Sequence, residues 1–253
     1  MTENIFNIKQ LNLSDIEIIT PAKCGSESFR NMLLNPCIIS NVYKSHHHVT
    51  TLIKDIITEK KDHLIIIGIR NPIKRNMSFF FEPGYNKFYD IRFLNYLYPI
   101  KSDDENKNDM DKFHNFVQNN DINSLIKLYF ESDFHNSEIM WIKELFEITN
   151  INLDPFDKEI GYKLYKLQNN NYIFIYTLEK INNNINFINN FFGKEYKYKN
   201  DTNRYYSSNV YDEFKNTIKF TKSYKDEMLN NPFIKYFYTD KDIDTFYNEY
   251  PTI

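Results

Sequence analysis

The chain has 253 residues, 42% of them apolar and 17% aromatic, and a formal net charge of −3. A chain of this length buries enough surface for one large domain, so its fold requires neither a disulfide framework nor a structural metal. The weakly acidic balance disfavours nonspecific nucleic-acid binding, which relies on a basic surface. With 20 Tyr and 22 Phe against 5 Gly, we expect aromatic rings to fill much of the core. The frequent Asn, Ile and Lys residues are typical of an AT-rich genome, such as that of a virus or parasite.

The N-terminal sequence MTENIFNIKQLNLSD lacks the basic and apolar regions of a signal peptide, so we predict none. No apolar run in the sequence reaches the roughly 18–20 residues that a membrane span requires. Two cysteines occur, Cys24 and Cys37, which suits a reducing compartment. We therefore expect a soluble cytoplasmic protein, while no pattern bears on its oligomeric state.

Three strand candidates alternate with two segments of helical length in the first part of the chain. The strands are predicted at IEIIT (16–20), CIISNVYKS (37–45) and HLIIIGI (63–69), and the helices at SESFRNMLL and VTTLIKDIITEK. The third strand is a continuous β-branched run, which is typical of a strand covered on both faces in a parallel sheet. This βαβαβ order predicts an α/β fold of three layers with a central, mainly parallel sheet.

The rest of the chain adds one predicted strand and several helices. NYIFIYTL (171–178) has the composition of a strand and precedes a helix-like segment, EKINNNINFINNFF. SEIMWIKELFEITN (137–150) has apolar residues at helical spacing, and so has the chain from residue 210 onward. We find no linker, so we predict a single domain over 1–253 with a helical C-terminal part and a polar insertion at roughly 85–135.

The predicted turn after the first strand, TPAKCGSES, has the composition of an anion site. A turn from strand to helix exposes backbone N–H groups, and the helix dipole adds a partial positive charge there. Gly25 permits close approach of an anion, and the Ser26 and Ser28 hydroxyls can donate hydrogen bonds. The turn is not a Walker A loop, because Lys23 precedes the glycine. An ordinary turn with a surface lysine is the alternative interpretation.

A second candidate anion site follows the third strand, in the sequence IRNPIKRNMS. Ligands of open α/β sheets bind outside the carboxyl ends of the strands, which is where Arg70 is predicted. The Ser78 hydroxyl lies two helical turns further on, and a guanidinium with a hydroxyl suits a phosphomonoester. The alternative is that Arg70 and Arg75 form surface ion pairs.

Together, TPAKCGSES and IRNPIKRNMS resemble the two nucleotide-binding motifs of sulfotransferases, the 5′-phosphosulfate loop and the 3′-phosphate motif R-[DN]-P-x-x-R-x-x-S. The resemblance implies a P-loop-like α/β fold that uses 3′-phosphoadenosine 5′-phosphosulfate (PAPS), releases PAP and needs no metal. It also implies that Lys23 contacts the oxygen bridging phosphate and sulfate, while Arg70 and Ser78 hold the 3′-phosphate. The cofactor-binding residues predicted on this basis are Lys23, Cys24, Gly25, Ser26, Glu27, Ser28, Arg70, Ser78 and Arg204.

The segment VYKSHHH resembles the K-T-H segment of cytosolic sulfotransferases, whose histidine is the general base. The resemblance implies that His46 takes the proton of the acceptor hydroxyl and that Lys44 stabilises charge on the transferred group, so the predicted catalytic residues are His46, Lys23 and Lys44. A neutral histidine has a suitable pKa for this step. His48 shares a strand face with His46 and is the second candidate. Other sulfotransferases use a glutamate as base, so Glu27 or Glu82 is the candidate if His46 is misplaced. A metal site is the competing interpretation of the three histidines.

The second half of the chain resembles proteins described as putative capsular polysaccharide synthesis proteins, which carry a sulfotransferase-like fold. The sequence PFDKEIGY at Pro155–Tyr162 carries this resemblance. The basic loop that closes over the 3′-phosphate in sulfotransferases, often R-K-G-x-x-G-D-W-K, is absent. KNDTNRYYSS occupies a similar place, so Arg204 is the candidate for that role.

The resemblance implies a transferase that moves a sulfuryl group from PAPS to an acceptor hydroxyl. A carbohydrate hydroxyl is the favoured acceptor, and a protein tyrosine or a small phenol stays open. The alternative is a catalytically silent protein on the same fold that binds a nucleotide or a glycan. A P-loop kinase is a third hypothesis, disfavoured by the missing Walker lysine.

Overall fold

The computed structural model describes residues 7–11, 13, 15–21, 23–33, 53–58, 62–81, 117, 119–132, 134–167, 170–196 and 208–253. The chain divides into two compact units, the first formed by residues 1–75, 134–199 and 220–253 and the second by 76–133 and 200–219. The single domain and its insertion at 85–135 stay predictions. The following sequence predictions lie outside the described residues: the strand at 37–45, Lys44, His46, His47, His48, Glu82 and Arg204.

The first unit contains a four-stranded sheet in the order β1-β2-β4-β3. Its strands are β1 (Asp15–Ile18), β2 (His63–Ile69), β3 (Tyr162–Lys166) and β4 (Tyr172–Thr177). β1 pairs with β2 and β2 with β4 in parallel, and β3 pairs with β4 in antiparallel orientation. The predicted α/β class with a mainly parallel sheet is therefore confirmed, while the three-layer, P-loop-like arrangement stays a prediction.

The two central strands are buried along their whole length. β2 and β4 pair with Ile65 opposite Ile173 and Ile67 opposite Ile175, and all four side chains are fully buried. A strand covered on both faces has no reason to alternate apolar and polar residues, which explains its continuous apolar sequence. The predictions for these two strands are confirmed to within one residue at either end.

Helices account for most of the remaining described residues. Residues 53–58 are helical, and 3₁₀ helices occupy Ile8–Leu11, Ile151–Leu153 and Leu178–Asn184. The α-helices are α1 (Ser26–Leu33), α2 (Pro72–Phe80), α3 (Ile122–Glu131), α4 (Ser137–Thr149), α5 (Ile185–Phe192), α6 (Ser208–Thr217), α7 (Lys222–Leu229), α8 (Pro232–Lys235) and α9 (Asp240–Glu249). The helical C-terminal part is thus as predicted. Within the described residues, no helix combines the length and apolar character needed to cross a bilayer.

Aromatic rings form much of the core of the first unit, as the composition predicts. Phe29 of α1 lies 4.7 Å from Tyr176 of β4 and 5.5 Å from Phe192 of α5, measured between ring centroids. Phe174 stacks on Phe191 at 5.6 Å. These contacts hold α1 and α5 against the sheet.

The second unit has an aromatic cluster of its own. Phe80 lies 5.7 Å from Phe214 and 5.5 Å from Tyr129, and Phe81 lies 5.0 Å from Phe214. Edge-to-face and offset ring pairs of this kind each add a modest stabilisation to the area they bury. The cluster packs α6 against α3 within this unit.

Candidate functional site

The turn between β1 and α1 has an unusual backbone. Lys23 has φ of 68° and Gly25 has φ of 85°, with the buried Cys24 between them. A left-handed φ is uncommon for a residue other than glycine and costs free energy at Lys23. A Cβ on Gly25 would lie 2.7 Å from Cδ1 of Leu178, so glycine is also required here for space. The predicted anion loop is therefore a tightly constrained turn.

The helix after this turn begins at Ser26, so Ser26 and Glu27 form its first turn. The Ser28 N–H donates to the carbonyl oxygen of Gly25 at 3.2 Å. This amide is therefore engaged within the turn rather than exposed at its surface. The Ser28 side chain is also buried, with 3% exposed.

The second predicted turn, after β2, is in direct contact with the first. Nη1 of Arg70 donates to the carbonyl oxygen of Lys23 at 3.0 Å. Asn71 follows, and its Oδ1 accepts from the N–H groups of Ile73 and Lys74 at 2.9 and 3.3 Å. Asparagine in this capping role with Pro72 at the first helical position explains why α2 starts at Pro72.

The first turn is attached to the sheet through the backbone of Cys24. The Tyr176 hydroxyl of β4 donates to the Cys24 carbonyl oxygen at 2.8 Å. A Cβ at Gly68 of β2 would lie 2.1 Å from the same oxygen, so only glycine permits this approach. The turn is thus seated on the carboxyl ends of β2 and β4, which is the edge where α/β proteins bind ligands.

A buried carboxyl group connects the two turns. Oε1 of Glu138, the second residue of α4, accepts a hydrogen bond from the Arg70 N–H at 3.2 Å and from the Cys24 thiol at 3.6 Å. The Glu138 side chain is fully buried. This residue is not among the predicted site residues, although Glu138 shares helical spacing with Trp141, Ile142 and Leu145, which are all buried. A carboxylate on the apolar face of a helix was the available signal.

Burial dominates the electrostatics of this group. It raises the pKa of Glu138 to about 7, while the Arg75 guanidinium and the Arg70 N–H act in the opposite direction. Burial also raises the pKa of the Cys24 thiol well above its ordinary value, and the Glu138 carboxylate adds to that rise. Cys24 therefore stays a protonated, buried thiol, which suits a packing role better than nucleophilic chemistry.

A second carboxyl group that is not among the predicted site residues follows β4. Oε1 of Glu179 accepts from the Asn71 N–H at 2.9 Å, and its Oε2 accepts from the Tyr238 hydroxyl at 2.7 Å. Burial raises the pKa of Tyr238 well above its ordinary value, and the Glu179 charge adds to that effect. Consecutive backbone N–H groups, those of Arg70 and Asn71, thus bind two different carboxyl groups.

The other predicted side chains of this motif make separate contacts. Nη1 of Arg75 donates to the Ser137 hydroxyl at 2.7 Å, and Arg75 is buried. Arg75 is therefore not a surface residue, so the alternative prediction of a surface ion pair is wrong for Arg75. Ser78 belongs to the second unit, where its hydroxyl lies 3.2 Å from that of Tyr211. The joint role of Arg70 and Ser78 stays a prediction.

The PFDKEIGY sequence forms a turn that leads into β3. Gly161 has φ of 83°, and a Cβ on it would lie 2.6 Å from Cβ of Lys180. Nζ of Lys180 donates to the Lys158 carbonyl oxygen at 2.6 Å and contacts Asp242 at 2.7 Å. These contacts give the segment a structural role at the end of β4.

The described residues contain no group of three His, Cys, Asp or Glu side chains that could hold a metal ion. No protein-family model, curated protein or solved structure matches the chain. The class that the described residues define is therefore an α/β protein with two touching turns at the carboxyl edge of a mainly parallel sheet.

Proposed function

We propose that the protein is a PAPS-dependent sulfotransferase that acts on a hydroxyl group, with a carbohydrate as the favoured acceptor. One observation carries the proposal, which is the 3.0 Å hydrogen bond from Arg70 to the Lys23 carbonyl. The two sequence motifs that resemble the nucleotide-binding motifs of sulfotransferases are thus neighbours at the ends of adjacent parallel strands.

The residues of the first turn suit the phosphosulfate end of the donor. The Lys23 ammonium and the start of α1 both supply positive charge, and Gly25 removes a side chain from the turn. Lys23 would stabilise the charge that develops on the phosphate oxygen as its bond to sulfur breaks. Electrostatic stabilisation of this kind by one good donor typically contributes about 3–4 kcal/mol to a barrier.

In the proposed reaction, the acceptor oxygen forms a bond to sulfur while the sulfur bond to the phosphate oxygen breaks. The hydroxyl proton passes to His46, and PAP leaves with the electron pair of the broken bond. Lys44 would share the stabilisation of charge on the sulfuryl oxygens. The roles of His46 and Lys44 rest only on the resemblance of VYKSHHH to the K-T-H segment of cytosolic sulfotransferases.

A second candidate is a protein that binds a nucleotide or an anionic glycan without transfer. Two contacts favour it. The Arg70 guanidinium is bonded to the backbone of the turn itself, and the Glu138 carboxyl group lies against that turn. Both contacts serve to shape a binding site and neither requires a reacting group.

Thermal-shift measurements with PAP, with ATP and Mg²⁺, and without nucleotide separate these hypotheses. The sulfotransferase proposal predicts stabilisation by PAP without Mg²⁺, and loss of that stabilisation in Lys23→Ala. Lys127→Ala is the matched control, because Lys127 is an exposed lysine paired with Glu131 on α3. A preference for ATP with Mg²⁺ supports the kinase hypothesis, and no response to any nucleotide contradicts the proposal.

Transfer itself is tested with labelled PAPS and a panel of glycans, tyrosine peptides and phenols. Label on a glycan supports the full proposal, and label on a peptide or phenol changes the acceptor class. If PAP binds and no acceptor is labelled, the binding protein is the better description.

A further inference from the structure

Glu138 stands apart from the other charged groups near the two turns, because one of its oxygens contacts both of them. Oε1 accepts from the backbone of the second turn at Arg70 and from the thiol of the first turn at Cys24. The residue comes from α4, an element that the sequence motifs do not include. A change in the state of this one carboxyl group therefore reaches both sides of the candidate anion site.

The second oxygen of this carboxyl group is also buried. Among the residues that the structure describes, none donates a hydrogen bond to Oε2 of Glu138. A buried carboxylate oxygen without a donor is costly, whereas the protonated form carries a hydroxyl and no net charge. The geometry thus favours an uncharged carboxyl group at this position.

The described charged and titratable groups that act on Glu138 come from several segments of the first unit. The Arg75 guanidinium of α2 and the Arg70 N–H favour the charged form, and Glu179 after β4 opposes it. Cys24 and Tyr238 are protonated neighbours whose own pKa values are raised by burial. Burial raises the pKa of Glu138 to about 7, so both of its forms occur in neutral solution.

We infer that Glu138 is a positioning residue of the anion site, and that it takes up a proton when a polyanion occupies the turn at Lys23–Ser28. The inference rests on the proposed function only in requiring that this turn binds a polyanion. A buried carboxylate next to a polyanion is repelled strongly, since little water screens the pair. Protonation removes the repulsion and leaves Oε1 able to accept from both turns. Binding therefore weakens as the pH rises.

Calorimetry of PAP binding in buffers of different ionisation enthalpy, such as HEPES and Tris, measures the proton uptake. The wild-type protein should take up more protons per PAP than Glu138→Gln, by up to one, between pH 7 and 8.5. Its affinity should fall by up to about tenfold per pH unit more steeply than that of the variant. Glutamine keeps the acceptor oxygen and removes the titration. Glu138→Asp keeps the titration with a shorter reach, so it should lose affinity and retain the pH slope.

Equal proton uptake and equal pH slopes in the wild type and Glu138→Gln would overturn the inference. If Glu138→Gln does not fold, infrared difference spectra of the wild type give the same answer. The carbonyl band of a protonated buried carboxyl group should then increase in intensity when PAP binds. An unchanged band would contradict the inference.

Inorganic pyrophosphate as a second probe distinguishes failure of this inference from failure of the proposed function. If PAP does not bind but pyrophosphate binds with uptake that depends on Glu138, the inference stands and the proposed donor is wrong. If PAP binds with equal uptake in both proteins, the proposed donor stands and the inference is wrong. If neither anion binds, both are wrong.

Discussion

The hydroxyl of Tyr176 lies 2.8 Å from the carbonyl oxygen of Cys24, and this bond spans from the end of β4 to the middle of the β1–α1 turn. The residues on either side of Cys24 both have left-handed φ angles. A strained backbone persists only where surrounding contacts determine it, and this hydroxyl is one of those contacts. The position of the candidate anion turn therefore depends on a side chain in the core of the sheet.

Tyr176→Phe should lower the free energy of unfolding by about 1–3 kcal/mol, because it removes a buried donor and leaves the rest of the ring in place. It should also weaken the PAP response. Chemical denaturation and thermal shift measure the two effects. Tyr165→Phe is the control, since Tyr165 is a buried tyrosine of the neighbouring strand whose hydroxyl lies 3.2 Å from that of Tyr236. A Tyr176→Phe protein as stable as the wild type would contradict the role given to this bond.

Gly68→Ala should destabilise the protein by about 1–3 kcal/mol or more, because the added methyl group meets a backbone oxygen that the turn cannot easily move. Gly193→Ala is a useful comparison. Gly193 has φ of 65° and no described atom lies within 4 Å of an added Cβ, so the backbone cost of roughly 1 kcal/mol dominates. Urea denaturation of both variants measures the difference. Equal losses of stability would mean that the Cys24 carbonyl oxygen does not restrict the side chain at position 68.

The stability of the protein should depend on pH through Glu138. Its pKa is about 7 in the folded protein against an ordinary value of 4.5, so the folded state binds the proton more tightly. The contribution of this group is fully present below pH 4.5 and is lost as the pH rises through 7. The full change is about 3 kcal/mol.

Glu138→Gln does not titrate, so the wild type should lose stability relative to this variant between pH 5 and 8. Denaturation curves of both proteins at several pH values give the difference directly, since the other titrating groups are common to both. A difference that is constant across this range would show that Glu138 is ionised in the folded protein throughout it, as it is in the unfolded chain.

Lys23→Gly should separate stability from anion binding. Glycine adopts a left-handed φ without steric cost, so the free energy of unfolding should rise by up to about 1 kcal/mol or stay unchanged. Turnover of labelled PAPS should fall about a hundredfold or more, because the ammonium is lost. Denaturation and transfer assays measure the two effects. A large loss of stability would indicate that the Lys23 side chain supports the fold, and undiminished transfer would rule out its proposed role.

His46→Ala should abolish transfer to the acceptor and leave PAP binding intact, because the proposed role of the imidazole is to accept a proton. Equilibrium binding of PAP and a transfer assay test this pair of expectations. His47→Ala is the matched control, because His46 and His47 would point to opposite faces on the strand that the sequence predicts. An active His46→Ala enzyme would move the role of base to another residue, with His48 tested next.

The sequence predicted those parts of the fold that local pattern determines. The continuous apolar runs of β2 and β4 reflect burial on both faces, and the Asn71-Pro72 pair marks the start of α2. β3 was not predicted, because its sequence YKLYK has only five residues and two of them are lysines. Its place in the sheet depends on pairing with β4, which a local pattern does not encode.

The sequence predicted the two turns of the candidate site but not the residues that hold these turns in place. Lys23 and Arg70 stand out because charged residues after apolar strands are visible in a single sequence. Glu138 is more than sixty residues from Arg70 and contacts it only after α4 packs, and Tyr176 resembles any other core aromatic. The hydrogen bond from Arg70 to the Lys23 carbonyl oxygen involves a backbone atom, so a pattern of side chains does not predict it.

The lysines of β3 have a consequence for the sheet as a whole. β3 lies at one end of the described strand order, and Lys163 makes a salt bridge to Asp154 while Lys166 is exposed. A strand from another molecule that added to this side would have to bring its backbone past two ammonium groups and desolvate them. The same charges that hid β3 in the sequence thus protect the sheet against intermolecular β-aggregation.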